Sequence, residues 1–389
     1  MKIAFVRGPF LNPWELQTYL PLLARHEFQA IGADWMMYEA AFKNMVVPLA
    51  KPHVWAGGSA FIHPNLPIFL NRFRSWTWGE SYALTLLDRV VGDAQILHPA
   101  ETHSTMTHQC LEIRKRRPCK VIATVWENIP HMGETHPIRK HRKALALKTL
   151  DGFLAVTETS RRMLLDEGAP AERIEVIPMA VDLDHFKPAV RDADWSKRWA
   201  LKPEEKVVLF IGRWVKEKGI QDILDAIPQV KRECASPIRF CFVGNGPMEK
   251  ELHKAAAEFP GNISLIPFIS YDRLPVLHNM ADVFILPSKS IPKWREQFGY
   301  VLAESMACAK AIITTRSGSI PDVVGDAAVL IPESDAAALA SALVCLLNAP
   351  GERQRLGAAA RTWALEQFDA QKNSRRIEAF YERVLKQPA

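Results

Sequence analysis

A chain of 389 residues has room for two domains of about 150 to 200 residues, each with its own core. Apolar residues make up 48% and charged residues 24%, which argues against wholesale disorder, and no run approaches the roughly 20 apolar residues of a membrane span. The net charge of +6 gathers at Arg114, Lys115, Arg116, Arg117 and Lys120 and at Arg139, Lys140, Arg142 and Lys143, patches that suit solvent, phosphate or anionic lipid; with no zinc finger or aromatic-interleaved groove beside them, nucleic acid is not an expected partner.

The chain opens on an apolar run, Ile3 to Val6, ended by Gly8-Pro9, which predicts a buried parallel strand with a helix over Pro13 to Ala24 behind it. That run is too short for the apolar part of a signal peptide. Strands are predicted at Gln95 to Leu97, Val121 to Val125, Gly152 to Val156 and Arg173 to Ile177, with helices over 103–115, 138–148 and 159–167 between them. The region from about 40 to 80, with Trp55, Trp76 and Trp78, reads equally as an insertion near a binding site or as aromatic packing. From Phe186 to Glu205 the pattern loosens, and a second series follows: Val207 to Ile211, Ile238 to Val243, Ile263 to Ile266, Val283 to Leu286 and Ala311 to Thr315. Helices are predicted over Asp335 to Leu347, Gly351 to Trp363 and Asp369 to about Leu385.

The expected organisation is a first domain over 1–185, a linker over 186–205, a second domain over 206–365 and a terminal helix over 366–389, for which a route back to the first domain is open. Both halves read as doubly wound α/β sheets, whose ligands lie beyond the carboxyl ends of the strands, so a cleft between the domains is the expected site. The six cysteines include no Cys-x-x-Cys pair, which argues against a zinc cluster or disulfide framework and favours a reducing compartment.

Two stretches carry candidate chemistry. After the strand ending at Ile211, Gly212-Arg213 and then Lys218-Gly219 place a guanidinium fork and a mobile ammonium in one loop, a combination suited to an anionic ligand or to an ordinary basic surface. After the strand at Val283 to Leu286, Glu296-Gln297-Phe298-Gly299-Tyr300 leads into a predicted helix that holds Glu304 in its opening turns. Carboxylates offer two charged acceptors to vicinal hydroxyls, and backbone N–H groups around Phe298, Gly299 and Tyr300 suit a diphosphate. Taken alone, two such glutamates are as well explained by capping or solvation. Gly244 in Val243-Gly244-Asn245-Gly246-Pro247 allows a close backbone approach or a plain turn, and Phe268 with Ile269 offers an apolar wall or a packed connector.

In this order the motifs resemble the retaining glycosyltransferases of family 4, most strongly from Val207 to Ala328. The resemblance implies two facing Rossmann-like domains of the glycosyltransferase-B type. It also implies transfer of a hexose-type sugar from a UDP- or GDP-linked donor to a hydroxyl acceptor, a glycan or a lipid-linked cell-envelope precursor. Arg213 and Lys218 are expected on the diphosphate, Glu296 on the donor sugar, Glu304 on the ribose and the Phe268–Ile269 loop on the base. The first half departs from the family: Pro9 follows Gly8 where a second glycine is usual, Met179-Ala180 replaces the usual pair, and Trp126-Glu127-Asn128 stands where a histidine and aspartate are common. Gly8, Trp126 and Glu127 are accordingly the acceptor-side candidates. The nucleotide sugar is treated as a substrate, and neither a required cofactor nor a metal site is expected. The expected location is cytoplasmic, with peripheral contact at the inner membrane face for a lipid-linked acceptor. The competing readings are a nucleotide-sugar epimerase or phosphorylase of the same architecture and a catalytically silent sugar-binding protein.

Overall fold

The computed structural model describes residues 1–39, 47–56, 82–267 and 269–387. They form two Rossmann-like α/β units, Met1–Ala180 with Ala370–Ala389, and Val181–Asp369. Most of the predicted insertion over 40–80, with Trp76 and Trp78, lies outside the described residues.

In the first unit the strands are β1 (Lys2–Val6), β2 (Glu27–Ile31), β3 (Leu49–Ala50), a short antiparallel pair β4 (Val54–Ala56) and β5 (Tyr82–Leu84), then β6 (Ile96–His98), β7 (Lys120–Val125), β8 (Gly152–Ala155) and β9 (Ile174–Val176). Seven of them form a parallel sheet in the order β3-β2-β1-β6-β7-β8-β9. Its central strands are buried along their length, as expected where helices cover both faces.

The predicted helix over 13–24 is broken. Asn12 caps a single turn, Pro13–Leu16, by accepting from Glu15 N at 2.8 Å, and the chain re-forms as a 3₁₀ segment, Leu20–Ala24. Pro21 is the reason, because it brings no N–H to an α-helical ladder. The helix Ala370–Leu385 belongs to this unit: Glu378 accepts from Arg25 at 2.9 Å and meets His26 at 2.7 Å, Asn373 donates to Pro178 O at 3.0 Å, and Ile377, Phe380 and Tyr381 are buried.

The second unit contains β10 (Lys206–Ile211), β11 (Ile238–Val243), β12 (Ile263–Ile266), β13 (Val283–Leu286), β14 (Ala311–Thr315) and β15 (Val329–Ile331), all parallel, in the order β12-β11-β10-β13-β14-β15. The runs Val207 to Ile211 and Ala311 to Thr315 are buried on both faces, and the helix Ile220–Glu233 covers the sheet with Ile220, Ile223, Leu224, Ile227 and Val230 at helical spacing. The stretch 186–205 is packed into this unit: Phe186 is buried and its carbonyl accepts from Arg361 at 3.0 Å, while Asp192 caps a short helix, Ala193–Arg198. Among the described residues, no helix is long and apolar enough to cross a membrane.

Candidate active site

In the second unit the loops after β10 and β13 meet. Lys218, at the end of a 3₁₀ turn, reaches Glu296 Oε2 at 2.6 Å, and the same oxygen accepts from Ser288 Oγ at 2.8 Å. The pair is mostly shielded, with side-chain exposures of 12% and 8%, and the ammonium also lies 5.1 Å from the centre of the Trp294 ring. A shielded lysine with one carboxylate partner retains two N–H donors for an incoming anion. Arg213, two residues beyond β10, is exposed and forms no ion pair among the described residues.

Backbone contact holds the loops at this distance. Gly219 has φ +72°, and a Cβ there would lie 1.9 Å from Pro287 O, at the end of β13. A Cβ on Gly244, after β11, would lie 2.0 Å from Gly212 O. Gly244 therefore lets the β10 and β11 loops touch each other; a close approach of ligand is not needed to explain it. Glu296 is pinned through its main chain, its carbonyl accepting from Ser319 N at 2.8 Å.

Gly299 sits in the left-handed region with φ +74° and starts the helix Tyr300–Ala307, whose first N–H groups lie beyond the carboxyl end of β13. Phe298 is buried against Phe368 and Tyr300, so its side chain is core while its backbone faces the turn. Glu304, in the second turn, is 1% exposed, with His278 Nε2 at 3.5 Å from its Oε2. Ile269 lines a groove of about 490 Å³ with Trp195, Arg198, Trp199 and Arg239 beside the edge strand β12; its neighbour Phe268 lies outside the described residues.

In the first unit, Gly8 follows β1 with φ +55°, packed so that a Cβ would meet Met106 Sδ at 2.7 Å. Arg7 beside it is buried and fully engaged, donating to Glu15 at 2.8 Å, to His98 O at 2.8 Å and to Thr124 Oγ1 at 3.0 Å. Glu127 Oε1 accepts from Asn128 N and Ile129 N, each at 2.9 Å, which makes it the cap of its own loop. Trp126 N donates to Glu101 Oε1 at 2.9 Å.

Glu101 is the residue that sequence reading missed. Its Oε2 is buried without a hydrogen bond among the described residues, its backbone has φ +62°, and burial, with Glu127 next in effect, pushes its carboxyl up to about 8. It lies just past the carboxyl end of β6, where ligands of such sheets bind, and that position was the available signal. Burial likewise lowers the neighbouring His103 to about 4, with Arg139 contributing.

Residues 192–363 match the family described as Glycosyl transferases group 1, and residues 46–185 match Glycosyltransferase Family 4. Among solved structures, the Anabaena protein HepE in complex with UDP and glucose superposes with a TM-score of 0.77 at 17% identity, over 98% of this chain and 100% of that one. The chain has the glycosyltransferase-B fold. It is related to both of the matched families.

A GDP-mannose-dependent α-(1-6)-phosphatidylinositol monomannoside mannosyltransferase of Mycolicibacterium smegmatis is 29% identical over 55% of this chain and 57% of its own length. A 2-deoxystreptamine glucosyltransferase of Streptomyces kanamyceticus is 25% identical over 72% of this chain and 70% of its own. The chain thus spans little more than half of the first of these relatives.

The expectation that the chain has no metal site is corrected by a cluster in the first unit. His131, Glu134 and Glu167 bring one potential ligand atom each within 4.8 Å of one another. It escaped notice because Glu167 lies at the end of the helix Glu158–Asp166, far from His131 in sequence. Lys143 enters the same cluster, 3.4 Å from Glu134 Oε1 and paired with Glu167, so a metal ion there would compete with an ammonium already neutralising the carboxylates.

Proposed function

We propose that the chain is a nucleotide-sugar-dependent glycosyltransferase that moves a hexose-type sugar from a UDP- or GDP-linked donor to a hydroxyl acceptor with retention at the anomeric carbon. The observation that carries this reading is the 2.6 Å contact between Lys218 and Glu296, which joins a phosphate-type cation to a sugar-type acceptor at the carboxyl edge of the second sheet. Lys218 and Arg213 take the diphosphate, Glu296 the sugar hydroxyls and Glu304 the ribose, with Gly299 and Tyr300 opening the helix whose N–H groups face the phosphates. No carboxylate is assigned as a covalent nucleophile, because Glu296 is held by Lys218 and Ser288 and Glu304 is buried in the helix.

The reaction is a front-side substitution. The acceptor oxygen bonds to the anomeric carbon as the bond from that carbon to the phosphate oxygen breaks, and the acceptor proton passes to the departing diphosphate. The two cations stabilise charge that grows on the leaving group, and fixed donors of this kind change rates by about 10²- to 10³-fold. Gly8, Trp126 and Glu127 remain the acceptor-side assignment, joined now by Glu101. The two relatives act on a phosphatidylinositol monomannoside and on 2-deoxystreptamine by their names, so the acceptor is proposed only as a hydroxyl of a lipid-linked or soluble glycan. A lipid-linked acceptor would bring peripheral membrane contact.

The test incubates the protein with UDP- and GDP-hexoses and a panel of lipid-linked and soluble acceptors, read by product mass and anomeric NMR. Acceptor-dependent nucleotide release with a new glycoside of unchanged anomeric configuration supports the reading. Isomerised sugar without transfer, or binding without turnover, overturns it.

A further inference from the structure

The helix Leu274–Met280 buries His278 completely, between Phe284, with ring centres 5.4 Å apart, and Phe186, at 5.9 Å. Its Nε2 stops 3.5 Å from Glu304 Oε2. Among the described residues, neither ring nitrogen makes a hydrogen bond, and neither Glu304 Oε2 nor Ser305 Oγ does, although all three side chains are buried. A buried polar atom left unpaired costs about 1–3 kcal/mol. Several such atoms held together in a wall of phenylalanine need an explanation, because apolar residues of similar shape would cost the fold less.

The geometry supplies one. A 3.5 Å separation lies just outside the range of about 2.7–3.2 Å for an N–H···O bond, so a shift of about half an ångström closes it. Glu304 rides on the helix that begins at Gly299, directly after the Glu296 loop, and a ligand gripping that loop is able to deliver such a shift. The Nε2–H tautomer of His278 then donates to Oε2 and leaves the second carboxylate oxygen to accept from a hydroxyl.

We propose that His278 is a positioning residue, which closes a hydrogen bond to Glu304 when a nucleotide is bound and holds that carboxylate on the vicinal hydroxyls of the ribose. This rests on the reading above that Glu304 meets the ribose. The effect concerns sugar recognition within the nucleotide and leaves the base and the diphosphate to other groups.

Calorimetric affinities for UDP and GDP, each against its 2′-deoxy and 3′-deoxy counterparts, test it in the wild-type chain and in His278→Phe, His278→Gln and Glu304→Gln. The wild type is expected to prefer the ribonucleotide by about 10-fold or more, the value of one hydrogen bond to a charged group. His278→Phe, which keeps an aromatic ring and removes both nitrogens, is expected to lower that preference toward unity while the deoxynucleotide affinity stays constant. His278→Gln, which restores a side-chain N–H of similar reach, is expected to recover most of it. Where His278→Phe does not fold, His278→Asn, whose amide is too short to span the gap, is expected to show the same loss. An unchanged preference in the folded His278 variant, with a collapsed preference in Glu304→Gln, overturns the role of His278 alone. An unchanged preference in Glu304→Gln overturns the ribose reading and the inference with it.

Discussion

Both units gather charged side chains at the carboxyl ends of their strands, yet they treat those charges in opposite ways. In the first, Arg7 is 2% exposed and its guanidinium is spent on Glu15, two carbonyls and Thr124, while Glu127 caps its own loop. In the second, Lys218 has a single carboxylate partner among the described residues and Arg213 faces solvent. A buried ion pair with its donors satisfied is fixed architecture, since disturbing it leaves an uncompensated charge. The Lys218 ammonium, shielded and with one carboxylate partner among the described residues, keeps N–H donors for a ligand while Glu296 stays anchored by Ser288 and through its main chain. The difference separates side chains spent on holding the sheet ends together from side chains that keep donors for a ligand, the role proposed for Lys218 and Arg213.

The largest effect expected is on the architectural side. Arg7→Met leaves Glu15 buried and unpaired and should cost about 3–5 kcal/mol, read as a lower denaturant midpoint for the first unit; a loss below about 1 kcal/mol would mean that the network is not fixed. On the chemical side, Lys218→Ala should cut turnover by about 10²- to 10³-fold and, by withdrawing a partner from the buried Glu296, should also lower the second unit's unfolding midpoint; near wild-type turnover in the folded variant would erase the contrast between the units. Gly219→Ala, which forces a left-handed Ala against Pro287 O, should destabilise the second unit by about 1–3 kcal/mol and slow transfer as the two loops separate; a stable, active variant would show that the loops do not depend on that approach.

A pH-dependent effect sharpens the comparison from the first unit's side. The Glu101 carboxyl titrates at about 8 in the folded chain because burial opposes its charge. The folded state therefore holds a proton that the unfolded chain has released, and stability contributed by the neutral form is lost as pH rises from the ordinary glutamate range toward about 8. Glu101→Gln should remove that slope, so the variant gains on the wild type in melting temperature between about pH 5 and about pH 8. Parallel melting curves across that window would mean that Glu101 is already ionised and solvated.

The alternating architecture was legible because parallel strands buried on both faces read as unbroken apolar runs, as in Val207 to Ile211 and Val121 to Val125. β2 was missed because Glu27-Phe28-Gln29-Ala30-Ile31 mixes polar and apolar residues over only five positions. The loop motifs with Arg213, Lys218, Glu296 and Glu304 stood out because the charges follow strands directly. Their partners did not: His278 lies in a helix of its own, Glu101 in an unremarkable loop, and His131 reaches Glu134 and Glu167 only after folding. Gly244 was legible as a special turn, but its reason, contact with Gly212 O, is a property of two loops at once.

The helix Ala370–Leu385 also sets a timetable. Tyr381 and Ile377 complete the interior beneath strands made from the opening residues of the chain, and His98 waits for the Tyr381 hydroxyl. During synthesis the later unit has all of its residues first, and the earlier one stays unfinished until Ala370 to Leu385 have emerged. A released chain truncated after Asp369 should thus resist protease in its second half while its first half is still cut.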